Sequence, residues 1–184
     1  MLVRKKTISR GILARAKKIK IIVMDVDGVL TKGELIILDS GEEMKIWDIK
    51  DRLAYTIIRK SGLGIKLAWI TGRESRQVTA RAKELKIDYV YQGVADKLKP
   101  IEEIIKKGGY RYEDVCYIGD DWLDIPILKR AGLAVCPADA VPDVFRYAHH
   151  RTKVEGGKGV LREVAEIILK SQSAFNKVFG GYAK

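Results

Sequence analysis

The chain has 184 residues, of which 47% are hydrophobic and 32% are charged, a balance typical of one folded globular domain. No window contains the roughly 18 apolar residues that a membrane-spanning helix needs, and no apolar signal-peptide core follows the basic N-terminus. We therefore expect a soluble cytoplasmic protein. Its two cysteines, Cys116 and Cys136, lie in apolar runs without the spacing of a disulfide framework or metal site, so we expect them in the core.

The net charge of +11 is concentrated at one end of the chain. Residues 1–20 contain eight Lys and Arg residues and no acidic residue, which leaves a net charge of only +3 on the rest. A basic leader at residues 1–18 on a nearly neutral body is typical of a solvated helix face. It lacks the broad basic surface of a nucleic-acid-binding protein, so we do not expect nucleic acid as a partner.

Short apolar runs alternate with helical patterns along the chain. Residues 8–18 predict a short basic helix, and the β-branched run at residues 19–26 predicts a buried strand. Further strands are predicted at residues 65–70, 89–91, 115–118 and 133–135, and helices at residues 52–60, 74–85, 98–107, 122–130 and 160–171. This alternation predicts right-handed crossovers and an α/β fold class, a doubly wound parallel Rossmann-like sheet.

The connection after the first strand is longer than one crossover helix needs. Residues 34–38 and 44–49 are apolar-rich and flank the turn sequence DSGEE, which predicts a β-hairpin inserted at residues 34–49. The hairpin is too small to be a domain, so residues 1–184 are predicted to form a single domain with a C-terminal tail at residues 172–184. A hairpin that exposes Leu35, Ile37, Ile46 and Trp47 is expected to pair with other copies of the chain.

Polar residues follow the predicted strands at the sheet edge where α/β proteins bind ligands. Several carboxylates in one crevice repel one another unless a cation lies among them, and ligation by oxygen alone favours Mg²⁺. Carboxylates, a cation, a hydroxyl and a lysine together suit phosphate esters. In strand order, the set is Asp25 and Asp27, Thr71, Lys97, and Asp120, Asp121 and Asp124.

Hydrolysis of a phosphate ester gives each member of this set a role. Asp25 is the candidate nucleophile, which forms an aspartyl phosphate, and Asp27 is the candidate general acid and base. Thr71 and Lys97 are expected to bind the phosphoryl oxygens. The predicted metal ligands are Asp25, Asp27 and Asp120, and the residues predicted to bind a metal-bound water or to orient Lys97 are Asp121 and Asp124.

Each of these residues also has a purely structural interpretation. A lone aspartate after a strand usually caps a helix or forms a turn, Asp124 would suit the first turn of a helix, and Lys97 is one of many lysines. The ordered set at successive strand ends favours catalysis over these alternatives. His149 and His150 are adjacent and therefore cannot face one ion from a strand, so we expect them to be structural.

The ordered set resembles the four motifs of the haloacid dehalogenase superfamily phosphatases. Residues 25–31 (DVDGVLT) are similar to the first motif, residues 70–73 (ITGR) to the second, Lys97 to the third and residues 119–124 (GDDWLD) to the fourth. The chain most resembles the small capless 3-deoxy-D-manno-octulosonate 8-phosphate phosphatase family. That closer similarity extends to about residue 170 and includes residues 71–75, 92–97 and 156–163.

The resemblance implies a fold without a cap domain and a Mg²⁺-dependent phosphomonoester hydrolase of lipopolysaccharide biosynthesis. Its substrate would be a phosphorylated sugar acid, 3-deoxy-D-manno-octulosonate 8-phosphate, and its products the free sugar acid and phosphate. The resemblance also implies a homotetramer in which the hairpins associate and a neighbouring subunit covers the site. Gly72, Arg73 and Arg52 are the predicted substrate-binding residues, and the two arginines are candidates for the substrate carboxylate.

The chain departs from the family at residues 51–54, where DRLA replaces the usual Asp-Gly-x-Gly. The loss of two glycines changes space and charge near the expected substrate mouth, which leaves the substrate open. The alternatives are a nonulosonate 9-phosphate phosphatase and a small subunit of a complex such as phenylphosphate carboxylase. A phospho-acceptor receiver domain fits poorly, because its acidic pair precedes the acceptor aspartate and no acidic cluster follows its lysine.

Overall fold

The computed structural model describes residues 8–184, and its centre is a six-stranded parallel sheet with helices on both faces. The described strands are β1 (Ile21–Met24), β2 (Ile36–Ile37), β3 (Glu43–Met44), β4 (Lys66–Ile70), β5 (Tyr89–Tyr91), β6 (Val115–Ile118), β7 (Leu133–Cys136) and β8 (His150–Arg151). The order across the sheet is β5-β4-β1-β6-β7-β8, and each neighbouring pair runs parallel, so the α/β fold class is confirmed.

Helices cover the sheet from both sides. The described helices are α1 (Arg10–Ala16), α2 (Ile49–Lys60), α3 (Arg76–Glu84), α4 (Leu98–Gly108), α5 (Ile125–Leu128), α6 (Val160–Ser171) and α7 (Phe175–Gly180). One face of the sheet is packed by α1, α2, α3, α6 and α7, and the other by α4 and α5. Among residues 8–184, no helix has the length and apolar character to cross a membrane.

The central strand β1 is buried along its whole length. Ile22 and Met24 belong to the core beneath α2 and α6, whereas Ile21 and Val23 belong to the core beneath α4 and α5. Successive side chains of a strand point to opposite faces, so a strand that is covered on both sides is continuously apolar. The first aspartate after this run, Asp25, is thereby held at the carboxyl edge of the sheet.

The inserted hairpin is present but shorter than predicted. Its strands β2 and β3 pair antiparallel, with Ile36 opposite Met44. Trp47, predicted to be exposed, is instead partly buried, and its ring stacks on that of Trp69 with 5.6 Å between the centroids. That prediction was wrong because the chain turns back onto the sheet before α2, which begins at Ile49 rather than at residue 52.

Two other segments differ from their predicted form. The helix predicted at residues 122–130 is a 3₁₀ turn, Trp122–Asp124, followed by the short helix α5. The predicted tail contains α7, whose Val178 is buried and whose Phe175 and Phe179 rings stack at 5.8 Å. Residues 1–7 of the predicted basic leader lie outside the described residues, and part of the remainder forms α1.

Candidate active site

A cavity of about 360 Å³ opens at the carboxyl edge of the sheet. It lies where β1, β4 and β6 end side by side, because these three strands are neighbours in the sheet. Lys32, Leu123 and Asp139 also line it, although the sequence did not single them out. Of the residues predicted from the sequence, those that line the cavity are Asp25, Asp27, Thr71, Gly72, Arg73, Lys97, Asp120 and Asp121.

Asp25 and Lys97 form a buried ion pair in the floor of the cavity. The ammonium nitrogen of Lys97, which directly precedes α4, donates to Oδ2 of Asp25 at 2.5 Å. Oδ1 of Asp25 accepts the backbone N–H of Val26 at 2.6 Å. Burial raises the pKa of Asp25 to about 6, although the Lys97 charge opposes that rise. The carboxylate therefore stays ionised near neutral pH while both of its oxygens are oriented.

Asp124 is fully buried behind Lys97 and accepts four hydrogen bonds. Oδ1 accepts the Lys97 ammonium at 2.7 Å and the Tyr117 hydroxyl at 2.6 Å. Oδ2 accepts the backbone N–H groups of Asp120 and Asp121 at 2.9 and 3.2 Å. Burial alone would lower the pKa of Lys97, but Asp124 and Asp25 outweigh it, so the pKa is raised and the lysine stays charged.

Asp120 makes the cavity suitable for a metal ion. Carboxylate oxygens of Asp25, Asp120 and Asp124 lie within 4.8 Å of one another. Oδ1 of Asp120 is buried and has no hydrogen-bond partner among the described residues. Burial, together with the charges of Asp124 and Asp25, raises the pKa of Asp120 to about 8. A hard divalent cation would satisfy the free oxygen and offset this repulsion, so the residues fit Mg²⁺.

Gly28 allows the backbone to pass directly beside Asp120. Its φ of +83° lies in the left-handed region, and a Cβ at this position would collide with the Asp120 carboxylate. Glycine is the only residue that combines this backbone conformation with the space that the carboxylate needs. The first and fourth motifs of the chain are in contact at this point.

The inserted hairpin reaches the cavity through Lys45, a residue that the sequence analysis missed. Lys45 directly follows β3, and its ammonium forms an ion pair with Oδ1 of Asp27. The Lys45 side chain is only 3% exposed. The one signal in the sequence was a charged residue between two apolar ones, Met44 and Ile46, and such a pattern is usual on any half-exposed strand.

The loop after β4 carries the second motif. The Thr71 side chain is buried, and its hydroxyl oxygen accepts the backbone N–H of Arg73 at 3.3 Å. The Arg73 guanidinium pairs with Glu43 of β3, and the hydrogen bond from Arg73 is the main reason why the pKa of Glu43 is lowered. The hairpin therefore contacts both the first and the second motif.

Arg52 is not brought to this cavity. It lies on the outer side of α2, where its Nε is 3.6 Å from Oε1 of Glu84, and both side chains are exposed. The predicted contact between Arg52 and the substrate therefore has no support within a single chain. His149 and His150 lie outside the cavity as well, and each makes a contact within the fold, with the backbone N–H of Ala134 at 2.9 Å and with Glu163 at 3.0 Å, respectively.

The fold and this cavity are those of a haloacid dehalogenase-like hydrolase, the family whose model matches residues 89–164. The 3-deoxy-D-manno-octulosonate 8-phosphate phosphatase KdsC of Escherichia coli K12 is 35% identical over 94% of this chain and 91% of its own length. The chain therefore belongs to the 3-deoxy-D-manno-octulosonate 8-phosphate phosphatase family.

Solved structures agree with this assignment. The phosphatase of that name from Moraxella catarrhalis, in complex with a magnesium ion, a phosphate ion and a KDO molecule, has a TM-score of 0.89 and 37% identity. The match covers 93% of this chain and 97% of that one. The cobalt-bound Haemophilus influenzae phosphatase has a TM-score of 0.85 and 31% identity, covering 92% and 99% of the two chains.

Proposed function

We propose that this chain is a Mg²⁺-dependent phosphatase that converts 3-deoxy-D-manno-octulosonate 8-phosphate to the free sugar acid and phosphate. The observation that carries the proposal is the buried row Asp25–Lys97–Asp124 beside the free oxygen of Asp120. The E. coli relative and the Moraxella complex support the choice of substrate and metal. The two hydrophobic cores share one sheet, which supports a single phosphatase domain.

The residues of the cavity divide the reaction into two steps. In the first, a carboxylate oxygen of Asp25 attacks phosphorus, the bond from phosphorus to the ester oxygen breaks, and Asp27 gives its proton to that oxygen. In the second, Asp27 removes a proton from a water molecule that attacks the aspartyl phosphate, which releases phosphate and restores Asp25. Throughout, the Lys97 ammonium and the Thr71 hydroxyl bind phosphoryl oxygens.

The acidic residues of the cavity would hold the metal. Asp25 and Asp120 are the candidate carboxylate ligands, and Asp27 lies beside them in the cavity. Asp124 holds the loop of Asp120 and Asp121 by accepting their backbone N–H groups. Bound Mg²⁺ supplies positive charge that offsets the charge of the phosphate and of the carboxylates. Asp124 is less suited to direct ligation because its two oxygens already accept four hydrogen bonds.

Replacement of the proposed nucleophile tests the mechanism. We expect Asp25→Asn to lower hydrolysis of p-nitrophenyl phosphate and of the sugar phosphate by about a thousandfold or more, because an amide cannot form the aspartyl phosphate. Asp88→Asn is the matched control, since Asp88 pairs with Lys66 away from the cavity. Retention of turnover by Asp25→Asn, beside an unchanged control, would rule out this mechanism.

The identity of the substrate is tested by comparing phosphorylated sugar acids with eight and nine carbon atoms. Arg73 is the candidate for the substrate carboxylate, which would compete with Glu43 for the guanidinium. The alternative substrate is a nonulosonate 9-phosphate, which has one more carbon. We expect a higher kcat/KM for the eight-carbon substrate. A higher kcat/KM for the nine-carbon substrate would contradict the proposed substrate but not the proposed mechanism of hydrolysis.

We also propose that the chain works as a homotetramer assembled through its hairpins. Ile37 and Ile46 are each 63% exposed, and Leu35 and Ile49 extend the same apolar segment. A neighbouring subunit seated there would also shield the open cavity from water. Light scattering should give four times the chain mass of 20.7 kDa. Ile37→Lys should dissociate the assembly, whereas Val90→Lys on β5 should not, and a monomeric wild-type chain would contradict the proposal.

A further inference from the structure

The two carboxylate oxygens of Asp27 have different surroundings. Oδ1 receives the Lys45 ammonium, and the Thr31 hydroxyl approaches the same atom at 3.4 Å. Oδ2 is buried and has no hydrogen-bond partner among residues 8–184. The two oxygens of a carboxylate are equivalent in water. In this environment they differ, because Lys45 holds Oδ1 whereas Oδ2 makes no hydrogen bond to the described residues.

The backbone that carries Lys45 is anchored two residues before it and two residues after it. Two residues earlier, the carbonyl oxygen of Glu43 accepts the Gln77 side chain at 2.7 Å. Two residues later, the Trp47 ring stacks on Trp69 in the core. Asp27 is the one acidic partner of the Lys45 ammonium in the described part of the chain. An ammonium group buried to this extent needs a polar partner to replace its contacts with water, so the pair is a built feature of the hairpin.

We propose that Lys45 is a positioning residue for proton transfer by Asp27, an inference that rests on the proposed function. Lys45 holds Oδ1, so Oδ2 is left as the atom through which Asp27 exchanges a proton with the substrate and with water. In the first step, the proton on Oδ2 moves to the ester oxygen as its bond to phosphorus breaks. In the second, Oδ2 takes a proton from the attacking water. The proton count balances over the cycle, and Lys45 gives up none.

Through Lys45 the hairpin has a second role. Besides its apolar outer surface, the hairpin carries on its inner side the group that orients the acid and base of the reaction. Residues 8–184 contain no cap domain, and residues 34–49 then supply part of what a cap would supply. Movement of the hairpin would change the alignment of Asp27 without any change in Asp25 or Lys97.

The test measures how hydrolysis depends on the leaving group. The three substrates are p-nitrophenyl phosphate, phenyl phosphate and benzyl phosphate. The p-nitrophenolate leaving group departs without a proton, the phenolate leaving group departs less readily, and the alkoxide leaving group of benzyl phosphate requires a proton. The first chemical step is reported by kcat/KM. We expect Lys45→Met to lower kcat/KM about thirtyfold for benzyl phosphate and by less than about threefold for p-nitrophenyl phosphate, within the range of general acid catalysis. Asp27→Asn should show the same trend more strongly.

Three further variants complete the experiment. Lys45→Arg keeps the charge and should recover most of the activity on benzyl phosphate. Lys66→Met removes a lysine that pairs with Asp88 outside the cavity and should leave the ratio between substrates unchanged. Asp25→Asn should lose activity on all three esters, which tests the proposed function separately from the role of Lys45.

The ratio of kcat/KM between two substrates does not depend on the fraction of folded enzyme, so partial misfolding of Lys45→Met does not obscure the result. Equal loss on all three esters, including complete loss, would overturn the positioning role, and so would an unchanged ratio. Failure of Lys45→Arg to recover more benzyl phosphate activity than Lys45→Met would also count against it.

Discussion

The ammonium nitrogen of Lys97 lies 2.7 Å from Oδ1 of Asp124, and both side chains are buried. The pair joins the residue that precedes α4 to the loop that follows β6. Breaking a buried ion pair is costly because the remaining charge has neither water nor a partner. Asp124 therefore fixes the lysine beside Asp25, where a phosphoryl group would be bound.

Replacing Asp124 tests this arrangement. An asparagine has one acceptor oxygen, so at least two of the four donors around Asp124→Asn lose their acceptor. We expect the free energy of unfolding to fall by about 2–4 kcal/mol and kcat to fall by at least about tenfold. Urea denaturation and p-nitrophenyl phosphate turnover measure the two effects. Asp143→Asn, at an exposed pair with Arg146, should change stability by less than about 1 kcal/mol.

Gly28 and Gly62 offer a matched comparison of backbone strain and collision. Both have positive φ, +83° and +75°, but a Cβ meets the Asp120 carboxylate at Gly28 and nothing within 4 Å at Gly62. Gly62→Ala should cost about 1–2 kcal/mol for the left-handed backbone alone. Gly28→Ala should cost more and should also weaken the rise in melting temperature with Mg²⁺. Equal effects of the two substitutions would argue against contact between Gly28 and Asp120.

Metal removal should be visible in stability as well as in activity. Saturating Mg²⁺ is expected to raise the melting temperature, and a chelator to lower it. At a Mg²⁺ concentration a hundred times the dissociation constant, the free energy of unfolding should rise by about 2.7 kcal/mol. Asp120→Asn removes a ligand and one repelling charge. We expect it to melt at or above the wild-type temperature in chelator and to respond weakly to Mg²⁺. A full Mg²⁺ response in this variant would exclude Asp120 as a ligand.

The raised pKa of Asp51 predicts that the free energy of unfolding falls as the pH rises. Its Oδ1 accepts the backbone N–H of Arg162 at the start of α6, and burial raises the pKa of Asp51 to about 7 from 3.8. In the folded chain the group therefore binds a proton between about pH 4 and 7, where the unfolded chain has released it. The resulting stabilisation is complete below pH 4 and is lost as pH rises through 7.

Asp51→Asn mimics the protonated form at every pH. We expect its free energy of unfolding to exceed that of the wild type by about 1–2 kcal/mol at pH 8 and by less at pH 5. Urea denaturation at the two pH values gives the comparison, with Asp88→Asn as the control for loss of an aspartate. A difference between variant and wild type that does not grow with pH would contradict the raised pKa.

The fold was predictable because its signals are local. The apolar run that became β1 is continuous since helices cover both faces of the sheet, and the aspartates after it follow from where the strand ends. The segment at residues 122–130 was mispredicted because its helical periodicity is interrupted by the carboxylate of Asp124, which accepts the backbone N–H groups of Asp120 and Asp121.

The amino-acid sequence by itself determined the class of fold, the connections after the strands in which Asp25, Lys97 and Asp120 lie, and the family. Only the tertiary structure decided which charges meet. Lys45 reaches Asp27, and Trp47 reaches Trp69, because the hairpin folds back onto the sheet, whereas Arg52 turns away on the outer side of α2. Periodicity along a chain records which side of an element is buried, but contacts between distant side chains depend on the path of the connections between elements.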